Sequence, residues 1–253
     1  MLDERAIFEE FRRDLDDAND RRERLIKASR DVTNISKKAI FLLFRIVLEE
    51  TSEDDAALSR RAAKNGHSKL VEARALFAQM RPELAGDRFW RHQRQVSPGL
   101  QEYIEALSFA HYLEHRTLIT FEQVQASLCD SEGPFFPLTT SDYVLGLSDL
   151  TGELMRFAIS NLSRRGGRAK ANDVCAFVRG CKADFEQFVP HVRELRKKQS
   201  VTTNSLEKIE AAAYAVSVRS SEYDLPSDVL DDLVAQATLK FTGRERHEPD
   251  DDM

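Results

Sequence analysis

Four acidic side chains stand out by type and spacing. The segment GLQEYIEALSF, Gly99 to Phe109, sets Glu102 and Glu105 three residues apart in a largely apolar stretch, and LSDLTGEL, Leu147 to Leu154, sets Asp149 and Glu153 four apart. On helices each pair shares one face, with Cβ atoms about 5–6 Å apart. Gly146, Ser148 and Gly152 surround the second pair, and such small residues let another helix come close, so the two pairs can face each other and pool four acids. Clustered carboxylates repel, and burying them without neutralisation is costly. A divalent cation removes that cost, and an all-oxygen donor set suits magnesium or manganese better than zinc. Such an ion, sharing a substrate phosphate, can activate water for phosphodiester hydrolysis. The plainer alternative is that 43 acidic residues in a helical chain produce such pairs as solvated faces. Against it, Glu102 and Glu105 share their stripe with Phe109 and Tyr112. Spacing alone leaves both readings open.

A basic, aromatic segment lies just upstream. Arg88-Phe89-Trp90-Arg91-His92-Gln93-Arg94 could hold backbone phosphates on its cations and stack a base on Trp90, or it could be a helix with aromatics in the core and arginines in solvent. A second run, Arg21, Arg22 and Arg24 through Lys27 and Arg30 to Lys37-Lys38, reads as a solvated or intersubunit face. His111-Tyr112-Leu113-Glu114-His115 spells an inverted zinc-peptidase motif. That motif is short, sits at a helix end and has no identifiable partner glutamate, so paired surface or half-buried histidines are the better reading.

The elements that must carry these residues are helices. Seven prolines and ten glycines are few for 253 residues, and apolar positions recur at three and four rather than two. From about Asp3 to Glu50, Ile7, Phe11, Leu15, Ala18, Leu25, Ala28, Val32, Ile35 and Ala39 mark one very long helix or two nearly collinear ones. Thr51-Ser52-Glu53 predicts the cap and first turn of a second helix ending near Met80. Pro98-Gly99 predicts a break, with helix resuming from Gly99 to about His115, then a short helix after Thr120. SEGPFFPLTT, Ser131 to Thr140, reads as a surface loop, and Ser141 as the cap of a helix reaching Leu162. Further helices are expected over Ala171 to Lys198, broken near Pro190, over Thr203 to Arg219, and after Pro226-Ser227. No strand is predicted. The expectation is an all-α bundle with a very long N-terminal helix, one domain over residues 1–242 and a disordered acidic tail over 243–253.

Composition narrows the class further. Hydrophobic residues make up 42% and charged residues 32%, which suits a soluble globular chain of amphipathic helices. The longest apolar run, Ala39 to Phe44, is far short of the roughly 18 residues of a membrane span. Met-Leu-Asp-Glu-Arg does not open like a secretory signal, so a cytoplasmic protein is expected. Cys129, Cys175 and Cys181 form no CxxC or Cys/His group and read as buried thiols. A net charge of −6 excludes coating nucleic acid with the whole surface, so any such contact must be a patch or be completed by another subunit.

GLQEYIEALSF and DYVLGLSDLTGELMR, Asp142 to Arg156, resemble the two signature stretches of the TRAX branch of the translin family, and RLIKASRDVTNISKKAIFLLFRI resembles its N-terminal helix. The resemblance covers most of the chain. It implies a translin-like helical bundle that assembles with translin into a closed, octameric shell. It further implies magnesium-dependent endoribonuclease activity on single-stranded RNA, including small-RNA passenger fragments and transfer-RNA leaders. Glu102, Glu105 and Asp149 match the catalytic and metal-binding acids of the family, and Glu153 stands beside them as a further metal ligand. Translin itself lacks the first acidic pair. The basic segment is similar to translin's RNA-contacting stretch, with Arg88 and His92 at similar positions, which favours RNA binding by Arg88, Trp90, Arg91, His92 and Arg94. The long basic N-terminal extension of some relatives is missing and the SEGPFFPLTT loop is short, which leaves nuclear residence open.

Overall fold

A computed structural model describes residues 4–162, 167–222, 229 and 232. The chain divides into two compact units, Met1–Val47 with Ser52–Gly146, and Leu48–Thr51 with Leu147–Met253.

In the first unit the run free of proline and glycine forms one helix, α1, Glu4–Val47, of 44 residues and about 66 Å at 1.5 Å per residue. From Leu25 onward its apolar stripe is covered, with Val32, Ala39, Leu43 and Phe44 at most 4% exposed. Toward the N-terminus the stripe continues uncovered, with Phe8, Phe11 and Leu15 exposed by 71%, 57% and 71%. Helix α2, Asp55–Met80, packs against α1 and against the helix that follows it, burying Ala62, Ala63, Gly66, Leu70, Ala73 and Phe77. A Cβ on Gly66 would stand 2.7 Å from Leu43 Cδ2, so glycine sets that close approach. The cap is Asp54, whose carboxylate accepts from Ala56 N–H, in place of the expected Thr51-Ser52-Glu53.

Helix α3, Arg88–His115, runs straight through the expected break at Pro98. Proline lacks an N–H for the helical ladder, and α1 compensates the interruption. Ser29 Oγ accepts from Gly99 N–H at 3.1 Å and donates to Val96 O at 3.4 Å. Gly99 is needed because a Cβ there would lie 2.7 Å from Ser29 O. The short helix α4, Phe121–Ser127, starts at a reciprocal capping box between Thr120 and Gln123, as its sequence predicts.

The SEGPFFPLTT segment corrects two expectations. Its Gly133–Pro134 pairs with Cys129–Asp130 as two antiparallel two-residue strands, β2 and β1. It is also part of the core: Phe136 is 0% exposed, with its ring 4.6 Å from that of Phe77 and 5.8 Å from that of Phe89.

Helix α5, Thr140–Asn161, begins in the first unit and belongs to the second from Leu147. Its N-terminus is capped by Thr139, which accepts from Asp142 N–H, not by Ser141. In the second unit α6 spans Gly167–Glu186 and α7 spans Leu195–Glu222, so the break at Pro190 is present and the expected break before Thr203 is not. Gln199 Nε2 donates to Lys182 O at 2.7 Å, and the Thr151 and Thr202 hydroxyls meet at 2.9 Å, fixing α7 to α6 and to α5. Val229 and Asp232 are helical; the rest of the helix expected after Pro226-Ser227 and the tail from Gly243 lie outside the described residues. No described helix is long and apolar enough to cross a membrane.

Candidate functional site

Glu102 and Glu105 lie half-buried on α3, while Tyr103, Ile104, Ala106 and Leu107 between and beside them are buried. Lys37, from α1, brings its Nζ to 3.3 Å from Glu102 Oε1. One further carboxylate on this unit escaped sequence reasoning. Asp142, 3% exposed, accepts from Ser97 Oγ at 3.1 Å, Gln101 Nε2 at 2.9 Å and Thr139 Oγ1 at 2.7 Å. Three neutral donors satisfy its charge, and they pin the start of α5 onto α3; Thr139-x-x-Asp142 was the readable signal. One turn later Gly146 closes this contact, since a Cβ there would lie 2.7 Å from Ile104 Cβ and 3.0 Å from Gln101 O. The expected role of small residues thus holds at Gly146, but Gly152 has nothing within 4 Å of its Cβ position.

The second pair sits on α5 within the second unit. Both Asp149 oxygens lie 2.5 Å from Lys198 Nζ at the start of α7, with side-chain exposures of 33% and 23%. Glu153 Oε2 is 3.5 Å from Arg156 Nη1. A cavity of about 210 Å³ opens beside Asp149, Gly152, Lys198 and Val201. Lys198 is 49 residues from its partner and nothing in the sequence marks it.

The acids therefore stand as one pair in each unit, and the charges of Glu102, Asp149 and Glu153 are met by cationic side chains. Among the described residues no group of three or more His, Cys, Asp or Glu is placed to hold a metal ion. The donor chemistry nonetheless fits magnesium, which binds through one or two carboxylates and completes its shell with waters and substrate phosphate. Asp149 already holds a cation, the Lys198 ammonium, against both oxygens.

The basic segment forms the first turns of α3. Phe89 is buried against Phe136 while Trp90 is 68% exposed, and Arg88, Arg91 and Arg94 are exposed around it. The two sequence-distant basic runs converge here. Burial lowers the His92 ring below the ordinary histidine range, and the nearby charges of Arg21, Arg91 and Arg22 lower it further, with Glu83 opposing. Glu83 is the shared counter-charge, 2.6 Å from Arg21 Nη1 and 2.8 Å from Arg24 Nε. The arrangement presents an exposed indole, edge-on to Phe89, among cations, which suits a single-stranded nucleic acid.

The inverted peptidase motif is a structural feature. His111 is 8% exposed, its Nε2 lies 3.1 Å from Thr117 Oγ1, and its ring lies 4.5 Å from that of His115.

Comparison with known proteins gives a consistent result. The translin family's sequence profile matches residues 20–220. Translin-associated protein X of Rattus norvegicus is 35% identical over 91% of this chain and 83% of its own length. Among solved structures, AfC3PO superimposes with a TM-score of 0.62 at 22% identity, covering 84% of this chain and 97% of its own. AfC3PO in complex with duplex RNA gives 0.59 at the same identity and coverage.

Proposed function

Since the chain belongs to the translin family, we propose that it is the nuclease subunit of a hetero-oligomer with translin, cleaving single-stranded RNA with magnesium, or manganese in its place. The observation that carries this reading is the half-buried pair Glu102/Glu105, matched by Asp149/Glu153, in stretches whose other residues are mostly buried. Glu102 and Glu105 in the first unit, and Asp149 with Glu153 in support in the second, are the residues that would hold the ion. When bound, the ion supplies an acidified water and positive charge against the developing charge on phosphate. Arg88, Arg91 and Arg94 would take backbone phosphates, and Trp90 would stack a base. Lys37 and Lys198 orient Glu102 and Asp149 before loading.

The partner reading rests on the uncovered stripe Phe8, Phe11 and Leu15, which needs an apolar surface against it. The relative from Rattus norvegicus is named for its association with translin, and AfC3PO has been seen with duplex RNA. An octameric shell is the expected assembly, and mass measurement of the co-expressed complex reads it directly.

The second reading is a non-catalytic adaptor binding translin and RNA, and the ion pairs on Glu102, Asp149 and Glu153 favour it. The test is cleavage of labelled single-stranded RNA by the translin co-complex, with and without chelator. The nuclease reading expects cleavage with magnesium only, loss of cleavage in Glu105→Gln with assembly intact, and weaker RNA binding in Trp90→Ala. Parental rates in Glu105→Gln would favour the adaptor reading, and magnesium-independent cleavage would refute the metal mechanism.

A further inference from the structure

We propose that the cleft among α2, α3 and α4 of the first unit is a binding site for a small phosphorylated molecule, with the phosphate on Arg74, Lys64 and Arg60. The cleft has a volume of about 760 Å³, within the range of small-ligand sites, and it shares no residue with the carboxylate pairs or with Arg88–Arg94.

One stripe of α2 supplies the charge. Arg60, Lys64, His67, Val71 and Arg74 follow at helical spacing and all line the cleft. Other cations of α2 are paired, Arg61 with Glu53 at 2.8 Å and Lys69 with Glu72 at 2.6 Å. Among the described residues no carboxylate pairs with Arg60, Lys64 or Arg74. Glu114 is the one acid in the lining, so Arg60, Lys64 and Arg74 face one anion in a chain whose net charge is −6. Arg74 carries the sharper signal, because its Nε is buried and finds no acceptor. A buried donor left unpaired is costly. A phosphate oxygen relieves that cost, and a guanidinium can meet two of them at once. The floor is of the opposite character. Leu70, Leu107 and Ile119 are 1%, 5% and 5% exposed, and Tyr103 is 0% exposed with its hydroxyl on Ser127 Oγ at 3.0 Å. An apolar floor beneath a cationic rim suits a phosphate monoester with a nonpolar or aromatic body. Inorganic phosphate alone would leave the floor empty.

The test uses adenosine 5′-monophosphate as probe, titrated calorimetrically into the full chain in chelator, where metal-dependent cleavage plays no part. Saturable binding is expected, about tenfold or more tighter than adenosine or inorganic phosphate. Arg74→Gln should weaken it by about tenfold or more, the scale of a lost charged hydrogen bond. Lys64→Glu, an exposed change that cannot unfold the helix, should weaken it likewise, whereas Arg61→Gln should leave it unchanged. Displacement by a 5′-phosphorylated RNA dinucleotide but not its 5′-hydroxyl counterpart would identify an RNA end as the phosphate source; no displacement by either identifies a free metabolite. Absence of saturable binding to the parental chain, or parental affinity in both Lys64→Glu and Arg74→Gln, overturns the proposal.

Discussion

Replacing Gly146 and Gly152 separately by alanine places two identical chemical changes six residues apart on one helix, with opposite expected signs. At Gly146 the new methyl would meet Ile104 Cβ and Cγ2 at 2.7 Å and Gln101 O at 3.0 Å, against ordinary carbon contacts of roughly 3.5–4.0 Å. Ile104 is 0% exposed. Its β-branch is stiff in a helix and Gln101 O is backbone, so neither neighbour can turn aside and α5 itself must retreat from α3. Overpacking of this kind costs about 1–3 kcal/mol, partly offset by the 0.5–1 kcal/mol or so that alanine gains over glycine inside a helix. The net is a loss of about 1–2 kcal/mol. At Gly152 nothing lies within 4 Å, so only the gain of about 0.5–1 kcal/mol remains. Urea denaturation followed by helical circular dichroism should show a lower midpoint for Gly146→Ala and a higher one for Gly152→Ala, with unchanged slopes. Equal shifts of the same sign would refute the close approach of α5 to α3.

Burial foremost, then the charges of His115 and His67, lowers His111 below its ordinary value of 6.5. Below that pH the unfolded chain takes up a proton that the folded one resists, so stability should fall on acidification from neutral pH toward 5.5. His111→Gln should show a shallower fall in urea midpoint over this range, and an identical slope would discount the burial of this ring. Asp142→Ala strands the Ser97, Gln101 and Thr139 donors and should cost about 3 kcal/mol, the scale of lost hydrogen bonds to a buried charge. Asp142→Asn should cost less, because Gln101 can turn its amide to match; equal losses in the two variants would contradict the hydrogen-bond geometry. Burial pushes the Cys181 thiol up to about 12, with Asp184 adding to it, and burial raises Cys175 as well. Native protein at pH 8 should therefore react rapidly with a disulfide reagent only at half-buried Cys129, and fast modification of Cys181 by peptide mapping would oppose its placement.

The fold was legible wherever one helix carried its own evidence. Periodicity without proline or glycine gave α1, periodicity that tolerates Gly66 gave α2, and the Thr120 capping residue gave α4. The misreadings occurred where a distant residue reversed a local rule. Pro98 looks like a terminator because the ladder loses a donor there, but Ser29, 70 residues away from Gly99, bonds the neighbouring backbone from α1. SEGPFFPLTT looks like a surface loop because its prolines and glycine dominate local propensity, yet Phe135 and Phe136 are buried, Phe136 against the rings of Phe77 on α2 and Phe89 on α3.

The candidate site divides along the same line. Spacing identified both acidic pairs because helical geometry makes residues three or four apart neighbours, whereas Trp90 among its arginines is legible from local composition and the family resemblance. It could not supply the cations. Asp149 meets Lys198 across 49 residues, and Arg21 and Arg24 meet Glu83 across 62 and 59. Such pairings depend on which helix faces which. They also change the electrostatic argument, since a half-buried carboxylate that already holds an ammonium no longer needs a metal ion to be tolerated. A metal ion at Asp149 must compete with Lys198 for the same two oxygens, and magnesium affinity there reports that competition rather than carboxylate number alone.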